Sequence, residues 1–157
     1  MDTHGKQRIR KVAGSVLAAF AAVLVFRMFF DIAYVSGKSM EPVFYEGDVL
    51  LLRKWGIPQN GDTVTAYIDE RDEMVVKRVL AGEGDAVIID NGNVHLNGKK
   101  VAEPVRGRQE ESGRQEYILS PGQYFLIGEN LEVSLDSRVF GQIEKSAVRG
   151  IVIGNLF

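Results

Sequence analysis

The 157-residue chain contains no cysteine. That excludes a disulfide framework, a zinc–thiolate centre and a cysteine nucleophile. Histidine is nearly absent as well, with only His4 and His95 present. No HxxxH or comparable ligand spacing occurs, so neither a metal nor another cofactor is expected. A Ser-His-Asp triad would have to use His95, which the surrounding alternation makes an ordinary half-exposed strand side chain. There is no excess of positive charge either. The 19 Lys and Arg stand against 21 Asp and Glu, a formal net charge of −2, which gives no pull toward nucleic acid. Internal repeats are missing, and there is one long apolar run. What is present is 45% hydrophobic and 25% charged, the composition of a single folded domain.

The charge is unevenly spread. Lys6, Arg8, Arg10 and Lys11 precede the apolar run Val12 to Phe30, VAGSVLAAFAAVLVFRMFF. As a helix this run spans roughly 29 Å, the thickness of a bilayer core. Arg27, near its far end, can snorkel to the interface, with Asp31 one turn on as a partner. A basic start and an apolar core also describe a cleaved secretory signal. The exit Phe26-Arg27-Met28-Phe29-Phe30-Asp31, however, offers no small-x-small cleavage site. A buried core helix is the other alternative, but the run has no polar face to set off a buried one. The sequence therefore predicts a cytoplasmic basic tail over 1–11, a transmembrane anchor over 12–34 and an extracytoplasmic domain over 35–157. The basic residues hold the N-terminus in the cytoplasm. The tail from Ile151 to Phe157 is too short for a second span, so the expected environment is membrane lipid crossed once.

From Val35 onward helical periodicity is weak and short β-branched runs are bounded by turn residues. Strands are predicted over Asp48–Arg53, Thr63–Ile68, Met74–Leu80, Ala86–Asp90, Asn93–Leu96, Tyr117–Leu119, Gln123–Ile127 and Gly150–Ile153. Asn91-Gly92 and Asn97-Gly98 are two-residue hairpin signals that make 86–102 a meander. The polar segment Glu103–Glu116 reads as a long loop. The fold class is mainly β: an antiparallel sheet or barrel-like catalytic domain behind one N-terminal transmembrane helix.

Serine with a lysine base is the chemistry left open. A free lysine is neutral in only about 4 of 10,000 molecules at pH 7. To act as a base it must lose its charge near neutrality, which burial among apolar groups achieves. Met74-Val75-Val76-Lys77-Arg78-Val79-Leu80 places Lys77 between two valines on one strand face. An edge-strand lysine that guards against aggregation has the same appearance. The nucleophile candidate is Ser39, in Val35-Ser36-Gly37-Lys38-Ser39-Met40-Glu41-Pro42, a segment that also reads as a juxtamembrane linker. Ser36 and Lys38 are rivals within it. Lys38 is a poor base for Ser39, because adjacent side chains of an extended segment diverge.

Taken in order, these segments resemble the bacterial type I signal peptidases, the Ser/Lys dyad serine proteases. The stretch from Val35 to Pro42 is similar to their serine box, Gly-x-Ser-Met-x-Pro. Val76-Lys77-Arg78-Val79-Leu80-Ala81-Gly82-Glu83-Gly84-Asp85 is similar to their lysine box. Gly128-Glu129-Asn130-Leu131-Glu132-Val133-Ser134-Leu135-Asp136-Ser137-Arg138 resembles a third box, with Glu129 in place of Asp and Leu131 in place of Arg. The resemblance implies Ser39 as nucleophile and Lys77 as base. Ser134 would orient the Lys77 amine, and Asp136 and Arg138 would pair to hold the box. The Ser39 N–H would serve as an oxyanion donor, with no side-chain donor at Gly37. It implies signal peptides of secretory preproteins as partners, cut after small residues at −1 and −3. They would bind as a strand between 33–36 and 74–77, with Val35, Ser36, Gly37, Met40, Val75 and Val76 around them. A dedicated pilin or conjugation peptidase, or a non-catalytic membrane-tethered β module, are the alternatives. A self-cleaving repressor would need a DNA-binding domain where the apolar run stands.

Overall fold

A computed structural model of the chain describes residues 3–103 and 113–157. The chain opens with helix α1, Thr3–Phe29. Its stretch Arg10–Phe29 is apolar and long enough to cross a membrane, and none of it is buried against the rest of the protein. The helix stops because the next residues pair into a sheet. Strand β1, Phe30–Tyr34, runs antiparallel to β2, Val49–Arg53, with Phe30 opposite Arg53 and Tyr34 opposite Val49. The segment 30–34, assigned from sequence to the anchor, is therefore strand. Its aromatic and β-branched residues suit either state, and pairing with β2 decides. Lys54 closes the helix end: its backbone N–H donates to Phe29 O at 2.9 Å and its Nζ to Arg27 O at 3.2 Å. These bonds satisfy carbonyls that a helix terminus leaves open. Arg27 and Asp31 approach to 3.9 Å, the pairing their spacing suggests.

The remaining strands are β3 (Thr63–Ile68), β4 (Glu73–Ala81), β5 (Ala86–Asp90), β6 (Asn93–Leu96), β7 (Lys99–Ala102), β8 (Arg114–Ile118), β9 (Gln123–Ile127), β10 (Ile143–Glu144) and β11 (Val148–Asn155), with a short helix α2 (Ser137–Phe140) before β10. They form a seven-stranded sheet in the order β1-β2-β11-β3-β4-β9-β10 and a four-stranded sheet in the order β7-β6-β5-β8. Every pairing recorded among the described residues is antiparallel. The architecture is thus mainly β behind one apolar helix. Both Asn-Gly pairs form the expected two-residue turns, with positive φ at Asn91, Gly92, Asn97 and Gly98. Such turns need two left-handed residues, which asparagine and glycine tolerate best.

Two further features depart from the sequence reading. Of the segment 103–116, residues 104–112 lie outside the described residues, but Arg114–Glu116 are strand, paired with Asp90, Ile89 and Ile88 of β5. Their side chains carry little apolar signal, and the hydrogen-bonding edge of β5 fixes them. Helix α2 and β10 are too short to leave a periodic trace.

The large sheet carries one core in which Val64, Ala66, Ile68, Val75 and Val79 cluster with Tyr124, Leu126, Ile143 and Ile151 of its other strands. A second core of Val35, Leu50 and Leu52 lies toward β1. The small sheet packs Val87, Ile89 and Val94 against Ala81, Phe125 and Ile127. Strand β4 is exposed at Glu73 and Met74, and beyond them its alternation of burial puts Val75, Lys77, Val79 and Ala81 inside.

Candidate active site

Lys77 lies on the buried face of β4, opposite Val64 of β3, and is 4% exposed. The position follows from the pleat, since the valines two residues to either side direct the same face into the core. Burial lowers the Lys77 pKa from its ordinary value, and the negative charges of Asp136 and Glu73 oppose that shift without reversing it. The amine reaches two oxygens: Ser39 Oγ at 2.8 Å and Val76 O at 3.0 Å.

Ser39 is half-buried in a turned segment rather than an extended one, with Glu41 N–H donating to Lys38 O and Val43 N–H to Met40 O. Lys38 is exposed on the outside of these turns. Met40, next to the serine, is only 1% exposed and anchors the segment from beneath. Beyond β9 the chain returns to clamp it: Asn130 N–H donates to the Ser39 carbonyl at 3.0 Å. This contact between the third box and the Ser39 segment was not read from the sequence, because it joins backbone groups far apart in the chain. Its one trace was glycine at 128, where an added Cβ would collide with Ser134 Oγ and stand 2.7 Å from Ser39 O.

The third box is held by a buried ion pair. Asp136 has no exposed surface, and Arg138 Nε donates to its Oδ1 at 2.8 Å and Nη2 to its Oδ2 at 3.0 Å. Asp136 also accepts from Gly128 N–H at 3.0 Å and caps α2 through Arg138 N–H at 3.2 Å. Arg138 Nη2 further donates to Leu131 O at 3.0 Å, so the leucine that departs from the family pattern still supports the loop through its backbone. Glu129, the other departure, pairs with Arg78, whose guanidinium also donates to Gly61 O. Ser134 is fully buried beside Gly128.

In front of the Lys77–Ser39 pair lies a cleft of about 660 Å³. Val35, Ser36, Gly37, Met40, Val75 and Val76 all line it, while Ser134, Asp136 and Arg138 are not among its lining residues. The sequence reading missed Leu52, Thr65, Val133, Leu135 and Phe140, which line it too. They come from β2, β3, the loop after β9 and α2, segments far apart in the chain. His95 lies on β6 of the small sheet, outside the cleft lining. Among the described residues no group of three or more His, Asp or Glu is placed to hold a metal ion.

The cleft separates two strand edges. β1 is the end of the large sheet, and β9 pairs with β4 only from Arg78 onward. The stretch Glu73–Lys77 therefore keeps one backbone edge without a strand partner, facing residues 31–36 across the cleft. A serine hydroxyl beside a buried amine, between two open strand edges, is an arrangement that could act on an extended peptide.

Comparison with known proteins gives the class. The family model for signal peptidase, peptidase S26, matches residues 8–156. The chain belongs to that family and is a serine endopeptidase. It is 30% identical to a signal peptidase I of Bacillus licheniformis over 88% of this chain and 83% of the relative. It is 28% identical to a signal peptidase IB of Staphylococcus aureus over 94% and 88% of the two chains. The crystal structure of a signal peptidase I from Enterococcus faecalis aligns with 62% of this chain and 98% of its own, at 23% identity and a TM-score of 0.47.

Proposed function

We propose that this chain is a membrane-anchored endopeptidase that removes signal peptides from exported preproteins, with Ser39 as nucleophile and Lys77 as general base. The observation that carries the reading is the 2.8 Å approach of Lys77 Nζ to Ser39 Oγ by a lysine taken almost wholly out of water. Burial disfavours the ammonium and so supplies the free base that an exposed lysine lacks at neutral pH.

In the first step Ser39 Oγ attacks the scissile carbonyl carbon as its proton passes to Lys77 Nζ. The Ser39 N–H stabilises the resulting oxyanion, with no side-chain donor from Gly37. The ammonium then protonates the leaving amine of the mature chain, and the C–N bond breaks. Lys77, neutral again, takes a proton from water. The hydroxide cleaves the ester, and Ser39 Oγ recovers its proton. Ser134 orients the amine from behind, and the Asp136–Arg138 pair keeps the loop that carries Ser134 and Asn130 in place.

The peptide binds extended between residues 33–36 and 74–77, adding the strand that neither edge has. Alternate side chains of a strand share one face, so residues −1 and −3 enter the same wall. Val35, Met40, Val75 and Val76 make that wall apolar and shallow, which admits small side chains and excludes large ones. Helix α1 spans the membrane once with the basic tail in the cytoplasm. The chain leaves it at Phe29 directly into β1, which holds the cleft near the bilayer where an exported signal peptide ends.

The test is cleavage in detergent of a preprotein bearing an Ala-x-Ala site by wild type, Ser39→Ala and Lys77→Ala. Cleavage after the second alanine by wild type, with both variants folded and inactive, is expected. Near-full activity of Lys77→Ala would assign the base elsewhere. A silent wild type on several preproteins would favour a dedicated peptidase or a non-catalytic module.

A further inference from the structure

Where the end of β2 and the loop after it meet the start of β11 lies a cluster that proteolysis does not use. Arg53, Lys54, Lys145 and Arg149 line a hollow of about 90 Å³ together with Trp55, and no acidic residue lines it. None of the four cations forms an ion pair among the described residues. Their contacts are instead with neutral groups: Arg53 Nη1 donates to Trp55 O at 3.2 Å, Lys54 Nζ donates to Arg27 O at 3.2 Å, and Arg149 Cζ sits 5.7 Å from the centre of the Tyr67 ring. Glycine at 56 permits this packing, because a Cβ there would collide with the Arg53 guanidinium. Arg149 also borders a neighbouring hollow that Asp69, Glu70 and Glu144 line, without an ion pair to any of them. Four cations around a hollow that has no acidic lining residue mark a place for an external anion.

The position says which anion. Trp55 packs edge-on against Phe29 and Phe30, with ring centroids 6.0 and 5.0 Å away, at the point where α1 ends. It remains 47% exposed, and Ile57 in the same loop 60%. Given the proposed span, on which this inference rests, the loop lies at the level where lipid tails give way to headgroups. There tryptophan is favoured and basic side chains meet phosphates. We infer that this hollow binds the phosphate headgroup of an anionic phospholipid in the leaflet on the catalytic side. The guanidinium groups take the phosphate oxygens, and Trp55 and Ile57 rest on the first acyl carbons.

Trp55 is the only tryptophan in the chain and reports on the hollow directly. The full chain is reconstituted in phosphatidylcholine vesicles containing an equal minor fraction of brominated lipid, either phosphatidylglycerol or phosphatidylcholine. Stronger quenching of Trp55 by the brominated phosphatidylglycerol is expected. In the Lys145→Gln/Arg149→Gln variant that preference falls by about fivefold for each charge removed, with cleavage in detergent unchanged. Equal quenching of wild type by the two lipids overturns the headgroup site while leaving the loop at the bilayer. Absence of quenching by either overturns the span on which it rests. The two wild-type comparisons decide even if the double variant misfolds.

Discussion

Gly128→Ala is the most exacting substitution for this site, because it adds one methyl group and touches no reacting atom. Gly128 is buried at the end of β9, and its N–H is fixed by Asp136 at 3.0 Å. A Cβ there collides with Ser134 Oγ and stands 2.7 Å from Ser39 O, where ordinary contact begins near 3.4 Å. Ser134 cannot retreat, since it is fully buried and its N–H is bonded to Asn130 O at 3.0 Å. The Ser39 backbone must therefore move by about 0.7 Å, and the 2.8 Å hydroxyl–amine contact opens with it. Misplacement on the order of 1 Å costs about 10²-fold in rate, and overpacking costs about 1–3 kcal/mol of stability. Preprotein cleavage followed by kcat/KM, with a circular-dichroism melt of the same samples, reads both. Gly154→Ala is the control, because its Cβ would meet nothing within 4 Å. Equal activity in the two variants would refute the claim that the third box positions the nucleophile.

Other perturbations separate charge from packing. Asp136→Asn leaves Arg138 buried without its counter-ion and should destabilise the fold by about 3–5 kcal/mol, read as a fall in denaturation midpoint. In whatever fraction stays folded, losing a charge that raises the Lys77 pKa should move the acid limb of the rate profile to lower pH. Lys77→Met should abolish cleavage yet stabilise the domain by about 1–4 kcal/mol, since an apolar chain of similar size replaces a buried amine. The folded Lys77 pKa lies below its unfolded value, so the unfolded chain binds the extra proton between the two. The gain in Lys77→Met is therefore largest below the folded pKa and shrinks as pH rises toward the unfolded one. A gain that grows with pH would contradict a buried, easily neutralised lysine.

What could be read from the sequence was local. The alternation around Lys77 named its buried neighbours, Val75 and Val79, because a pleat fixes which residues share a face whatever the strand pairs with. The two Asn-Gly turns were legible for a similar reason, as their φ angles are demanded by the turn alone. Residues 30–34 were not, since an aromatic, β-branched stretch after a helix acquires its state from the strand beside it. Nor were the far walls of the cleft. Leu52, Thr65 and Phe140 come from three different elements, and nothing near each in sequence marks a common pocket. The Asn130–Ser39 contact is hidden twice over, being long-range and made by backbone groups that every residue possesses.

The electrostatic balance at Lys77 has a consequence for how substrate acts on the enzyme. Burial lowers its pKa, and the carboxylates of Asp136 and Glu73 raise it by less. Asp136 is close, but two bonds from Arg138 oppose its charge with a buried cation. Glu73 is exposed at the start of β4, where water and salt screen it. Desolvation is thus left in command, and the cleft in front of Ser39 is where water still reaches the pair. An extended peptide that fills the cleft removes that water and moves the balance further in the same direction. By linkage the peptide binds more tightly to the neutral lysine, by the factor through which binding favours deprotonation. The profile of kcat reports the filled site and that of kcat/KM the empty one. The acid limb of kcat should accordingly lie at lower pH than that of kcat/KM. A limb displaced to higher pH would mean that substrate stabilises the ammonium, and that a contact with the peptide, rather than loss of water, sets the strength of the base.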